Sequence, residues 1–363
     1  MGVDDLMSEP LAVTASPNTL DRPRGDRDNA VGLLRFVLTS LVVLSHSFHF
    51  YGKSHEYDPM VRLTWGQYTS GRLAVDAFFV LSGFLVARSW DGCRNLGEFL
   101  LRRGSRVYPG FFAAVAFSSF VAAPWLVSRG LADTAPKTWA GLIGPALMLD
   151  YRNLAVNGSL WTIRYDFYYY LFLSLIGAAG WLAKRWPLMA MWACSWAVYV
   201  AWHVSGASEE VGVEAQHPRL LTCFLSGAVC YAYRSRIPLS WGWFATALAG
   251  LLLYGGGMWT YRQWPYRMMS PAFPIFGAYV LLFTAFRPGR RAARLAWLGD
   301  YSYGLFLYAF PVQLMLLVAY REQLNPFTLF LATLAIACVL AHASLLLIER
   351  PISDRVRRRR RSS

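Results

Sequence analysis

The chain has 363 residues, of which 56% are hydrophobic, 16% aromatic and only 15% charged, and its mean hydropathy is +0.32. This profile excludes a soluble globule and fits a polytopic membrane protein. The net charge of +14 would suit nucleic acid, but the arginines fall in short clusters between apolar spans, as in a protein orienting itself in a bilayer, so no nucleic-acid partner is expected.

Residues 1–30 are polar, carry Arg22, Arg24 and Arg27, and lack the short apolar core of a cleavable signal peptide. They are expected to form a disordered cytoplasmic tail. Ten apolar stretches follow, near 31–51, 72–90, 107–128, 160–182, 186–204, 218–234, 239–257, 266–287, 299–320 and 326–348. Each approaches the length that crosses a bilayer as a helix. The run 138–150 is too short to span and reads as re-entrant or interfacial. Alternate connections carry the basic residues: Arg94 with Arg102, Arg103 and Arg106, then Lys184 and Arg185, Arg234 and Arg236, Arg287 to Arg294, and the tail 352–363. The opposite connections are longer or acidic, with Glu209, Glu210 and Glu214. By the positive-inside rule both termini are cytoplasmic. The expected fold is all-α, a single transmembrane domain over 31–351 with about ten helices around a polar internal path, in the cytoplasmic (inner) membrane. The five cysteines are scattered without CxxC spacing, so packing is their expected role, and no metal site is expected.

Polar residues inside these spans carry the functional signal. Arg35 and His46 stand eleven residues apart in the first stretch, just over three helical turns. They share nearly one face, about 16 Å apart along the axis. Intramembrane charges favour bundle interiors or cavities, although Arg35 could snorkel and His46 could serve as an interhelical contact. Asp76, about one turn into the second stretch, reaches a depth comparable to His46 and could orient the imidazole; capping its own helix is the alternative. Ser82 and Gly83 suggest close approach of a helix or ligand. Arg102, Arg103 and Arg106 would lie toward one side of a helix, suiting phosphate recognition or plain positive-inside charge. Arg164 and Asp166 enter the fourth stretch from the outer side among Trp161 and four tyrosines. Aromatic belts explain the rings but not the carboxylate.

Taken in order, Arg35-x10-His46, VDAFFVLSGF (75–84), the Arg102-Arg103-Arg106 set, SLWTIRYDFYYYL, DYSYGLFLYAFP and Glu349-Arg350-Pro351 resemble the acyltransferase-3 family of membrane O-acyltransferases. The resemblance spans about 31 to 351. It implies transfer of an acyl group, with acetyl-CoA as co-substrate, to a hydroxyl of a glycan or glycosylated product. It implies His46 as the central catalytic residue, with Asp166 and Asp76 beside it. Arg35, Arg102, Arg103 and Arg106 would hold the donor, and Ser82, Trp161 and Tyr303 would touch substrate. Two positions depart from the family: Asp166 stands where glutamate is usual, about 1.5 Å shorter in reach, and Ala309 stands where histidine is common. Ala309 cannot move a proton, so the base is sought at His46. A proton-coupled transporter of a sugar or lipid-linked product would explain the intramembrane charges equally well, though not the order of the motifs.

Overall fold

Long apolar runs stopped by capping side chains build the molecule. The computed structural model describes residues 19–21, 29–52, 56–130, 155–205, 216–256, 269–287, 290–320 and 323–361, and all their named elements are helical. The principal helices are α1 (Val31–Gly52), α2 (Ser70–Trp90), α3 (Leu96–Ser128), α4 (Trp161–Ala178), α5 (Arg185–Val204), α6 (His217–Ala232), α7 (Trp241–Gly256), α8 (Met269–Phe286), α9 (Gly299–Tyr320) and α10 (Pro326–Ser344), the last running on into Arg350–Arg361. The described residues of each expected apolar stretch are therefore mainly helical. Among the described residues, six helical segments are long and apolar enough to cross a membrane: α1, α2, α3, α8, Ala292–Tyr320 and Pro326–Val356. The protein is an all-α, multi-pass membrane bundle.

Local chemistry sets the helix ends. Thr69 accepts a hydrogen bond from the Arg72 amide at the start of α2, and Asn95 does so from Glu98 at the start of α3. Asn325 and Thr328 form a reciprocal capping box ahead of α10, with Pro326 at its first position. Wide, π-type turns interrupt three helices, at Ser118–Ala122, Phe273–Gly277 and Leu345–Glu349. A proline ring crowds the carbonyl four residues back, and Pro124 and Pro351 put that carbonyl at Phe120 and Leu347, inside two of these turns. Pro274 lies within the third.

α2 and α6 press together backbone to backbone. A Cβ on Gly83 would lie 1.8 Å from the Phe224 carbonyl oxygen, and one on Gly227 would lie 1.9 Å from that of Val80. Only glycine fits at such a crossing. The same α2 face carries Asp76, seven residues before Gly83, and delivers it to Arg219 of α6 in a sealed ion pair. Asp76 is 0% exposed and Arg219 4%. Tyr68 donates to the same carboxylate at 2.9 Å, and Arg219 also donates to Gln216 at 2.7 Å.

The basic connections gather at one end. There Arg234 approaches Asp91 at 3.8 Å, Arg350 approaches Asp300 at 3.6 Å and Ser353 donates to the Ser105 carbonyl at 3.1 Å. Part of the segment expected to be a disordered tail is docked at this end. Leu20 is buried, its amide donates to the Ile237 carbonyl at 3.2 Å, and Asp21 pairs with Arg234 at 3.0 Å. The basic C-terminal tail continues as helix through Arg361. The 138–150 run and the acidic Glu209, Glu210 and Glu214 lie outside the described residues.

The α2–α6 crossing makes a direct prediction. Gly227→Ala forces two backbones apart and should cost about 1–3 kcal/mol or more. Gly104→Ala has nothing within 4 Å of the new Cβ and should be neutral or gain up to about 1 kcal/mol in helix propensity. Thermal unfolding of both variants in detergent checks this; equal melting temperatures would contradict the close crossing.

Candidate active site

The segment that precedes α4 decides where its charged residues fall. Residues Ala155–Leu160 form a short 3-10 stretch broken at Asn157, whose φ and ψ of −135° and 71° are non-helical. Asn157 donates to Ser118 Oγ at 3.1 Å and to the Leu307 carbonyl at 2.9 Å, near the middle of α9. α4 therefore begins inside the bundle, not at its surface. Asp166 consequently lies toward the basic end, deeper than a count from the outer face suggests.

There its carboxylate accepts hydrogen bonds from Ser82 Oγ of α2 at 2.5 Å and from Tyr170, one turn along α4. Arg35 of α1 and Arg103 of α3 both lie within electrostatic reach of Asp166 and Tyr170. The Arg103 guanidinium lies over the Tyr170 ring at 5.2 Å and donates to the Leu85 carbonyl at 3.0 Å. Tyr303 donates to the Val107 carbonyl, one turn beyond Arg103, at 2.7 Å. Glu349, turned inward at the wide turn of α10, accepts from Ser344 at 2.9 Å. Four helices thus supply one cluster: Arg35, Ser82, Arg103, and Asp166 with Tyr170.

The three arginines expected to act together are divided. Successive helix residues point about 100° apart, so Arg103 turns toward Tyr170 while Arg102 pairs with Glu98 at 2.8 Å, partly buried. Arg106 is exposed at the rim, within electrostatic reach of Arg35 and Glu349.

His46 stands three turns further along α1 from Arg35. Its ring meets Phe310 of α9 edge-on at 5.2 Å and Phe50 at 5.9 Å, and those two phenyl rings meet at 5.0 Å. Gln313, fully buried, fixes α9 to this turn of α1 by donating to the Val43 carbonyl at 2.8 Å and to Ser47 at 2.7 Å. A carbonyl only accepts, so the Gln313 amide nitrogen faces α1.

Asp76 meets Arg219 of α6 and Tyr68. Gly71, where α2 touches Ser45 of α1, and Asp76 are separated by about 140° around the helix. The carboxylate faces α6 and pairs with Arg219. Trp161 packs against Tyr165 at 5.9 Å, which in turn meets His217 at 4.6 Å, and Arg164 lies over Tyr165 at 5.4 Å.

Accessibility separates the two charged groups. Arg35, His46, Ser82, Arg103, Asp166 and Tyr303 all keep partial exposure. Ser82 and Asp166 bond one another across α2 and α4 and still keep some surface. Sequence reasoning missed Tyr170, Phe310, Gln313 and Arg219. The i,i+4 spacing of Asp166 and Tyr170 was an available signal, whereas Phe310 lies in an apolar run that gives none.

Comparison with known proteins fits this membrane bundle with a charged interior. Residues 28–345 match the Acyltransferase domain family, Acyl_transf_3. The chain belongs to that family and is a membrane-embedded acyltransferase. It is also similar to an O-acetyl transferase of Shigella phage Sf6, 23% identical over 344 residues that cover 89% of this chain and 96% of the relative. No solved structure gives a significant match.

The cluster yields a stability prediction. Asp166→Asn leaves Arg35 and Arg103 without their shared counter-charge and should cost on the order of 2–3 kcal/mol, discounted from a fully buried pair because some exposure remains. Tyr170→Phe removes one hydrogen bond and should cost about 1 kcal/mol. Melting temperatures of the two variants decide; equal losses would mean that the carboxylate charge compensates nothing.

Proposed function

We propose that this acyltransferase moves an acetyl group from acetyl-CoA to a hydroxyl of a glycan or glycosylated product at the cytoplasmic (inner) membrane, with both termini cytoplasmic. The observation that carries the reading is the accessible cluster of Arg35, Arg103, Ser82 and Asp166 inside the basic end, with His46 about 16 Å further along the same helix as Arg35. CoA is a cytoplasmic, phosphate-rich donor. Arg106 at the rim and Arg103 and Arg35 within suit its phosphates, since guanidinium forks match phosphate geometry. The thioester arm then runs along α1 toward His46.

At His46 the acceptor hydroxyl oxygen attacks the thioester carbonyl carbon, and the imidazole takes the hydroxyl proton. The C–O bond forms, the C–S bond breaks, and the proton passes to the departing thiolate, leaving an ester and free CoA. Histidine suits this task because it takes and returns a proton near neutrality. Asp166 holds the two arginines in register through its charge. The similarity to a phage O-acetyl transferase supports acetyl as the group moved.

Replacing His46 with Ala should lower transfer by about 10²–10⁴-fold, the usual contribution of general acid–base catalysis, while melting temperature and CoA affinity stay near those of the parent. Retention of near-full turnover would remove His46 from the reaction. Among the arginines, Arg103→Ala should raise the acetyl-CoA KM more than it lowers kcat, and Arg102→Ala, whose side chain pairs with Glu98, should change little. Equal effects of the two substitutions on KM would contradict the inward role of Arg103.

A further inference from the structure

Beside His46 the walls are aromatic and fixed. The Phe310 ring stands perpendicular to the imidazole at 5.2 Å, and Phe50 closes the corner from α1, 5.0 Å from Phe310. Phe310 has no room to retreat. A Cβ placed on Gly158 would lie 2.7 Å from its Cζ, so the ring already presses on the backbone ahead of α4. That backbone is held by the two hydrogen bonds of Asn157, and Gln313, one turn beyond Phe310, pins α9 against α1. Both phenyl rings nevertheless keep partial exposure beside His46. Their rings offer no hydrogen bonds, which suits an apolar occupant better than a sugar.

We propose that Phe310 sets the length of acyl group the enzyme accepts, the Phe310–Phe50 corner receiving the acyl tail while the thioester carbonyl lies at His46. This rests on the acyl-CoA reading above and deepens it. A methyl fits against rings held in this way, whereas each added methylene must displace a ring that is backed by main chain. One methylene in an apolar pocket is worth about 10–200-fold in discrimination, so acetyl is favoured over butyryl and hexanoyl. The chemistry of the step is unchanged: the bond broken is the thioester C–S, whatever the chain.

The test is donor binding, which needs no knowledge of the acceptor. Dissociation constants of the full chain in detergent are measured for free CoA, acetyl-CoA, butyryl-CoA and hexanoyl-CoA, with the parent, Phe310→Ala and Phe310→Leu. The parent should bind acetyl-CoA at least about tenfold more tightly than hexanoyl-CoA. Phe310→Ala should shrink that ratio by about tenfold or more, with free CoA binding unchanged. Phe310→Leu, which keeps most of the packing if the alanine variant fails to fold, should shrink it by a smaller factor. A parent that binds hexanoyl-CoA as tightly as acetyl-CoA, or an unchanged ratio in the folded variants, overturns the assignment of Phe310 and leaves the donor reading standing. A parent that binds no free CoA overturns the donor reading, and the acyl-length claim falls with it.

Discussion

An ionised side chain inside a membrane bundle must be solvated by other side chains, because hydrocarbon offers it nothing. This protein meets the demand in two ways. Asp76 and Arg219 are sealed together between α2 and α6, with Tyr68 and Gln216 taking up remaining hydrogen-bonding capacity. Asp166 is held by Ser82 and Tyr170 within electrostatic reach of Arg35 and Arg103, and this group keeps partial exposure. The first arrangement cements a helix pair. The second can exchange partners with a ligand, since an anionic group could take over some of the neutralisation that Asp166 supplies.

The position of that open cluster depends on irregular backbone. Asn157 breaks the segment before α4 and anchors it between α3 and α9, so α4 starts within the bundle and carries Asp166 to the level of Arg35. The wide turn before Pro351 brings Glu349 inward toward Tyr303. Non-helical backbone is tolerated at such depth only where protein satisfies it or a cavity lines it, and the side-chain bonds of Asn157 meet that requirement.

Much of this was legible in the sequence. Apolar length alone located ten helical stretches, and the Arg35–His46 interval followed from helical geometry. Ser82 and Asp166 stood out as polar residues in apolar company. Azimuth and depth are what a sequence leaves open. Distance from the membrane surface does not say which neighbour Asp76 meets; the glycine at 83 lets that face of α2 close onto α6 and carries the carboxylate to Arg219. Arg102 and Arg103 looked equivalent as neighbours, though adjacent helix residues point about 100° apart. The depth of Asp166 depends on Asn157, which breaks the segment ahead of α4, and a count along the apolar stretch does not show it. Leu20 lies in polar sequence and gave no hint that it is buried against the α6–α7 connection.

The proposed acyltransferase takes its donor at the basic end, on the cytoplasmic side by the proposal, and delivers the acyl group along α1. Membrane vesicles of both orientations, supplied externally with acetyl-labelled CoA, test it most directly. The account predicts that inside-out vesicles release free CoA and transfer label to membrane-associated or lumenal acceptor, while sealed right-side-out vesicles do so only after permeabilisation. Label transfer in intact right-side-out vesicles, or none in either orientation despite folded protein, would contradict it.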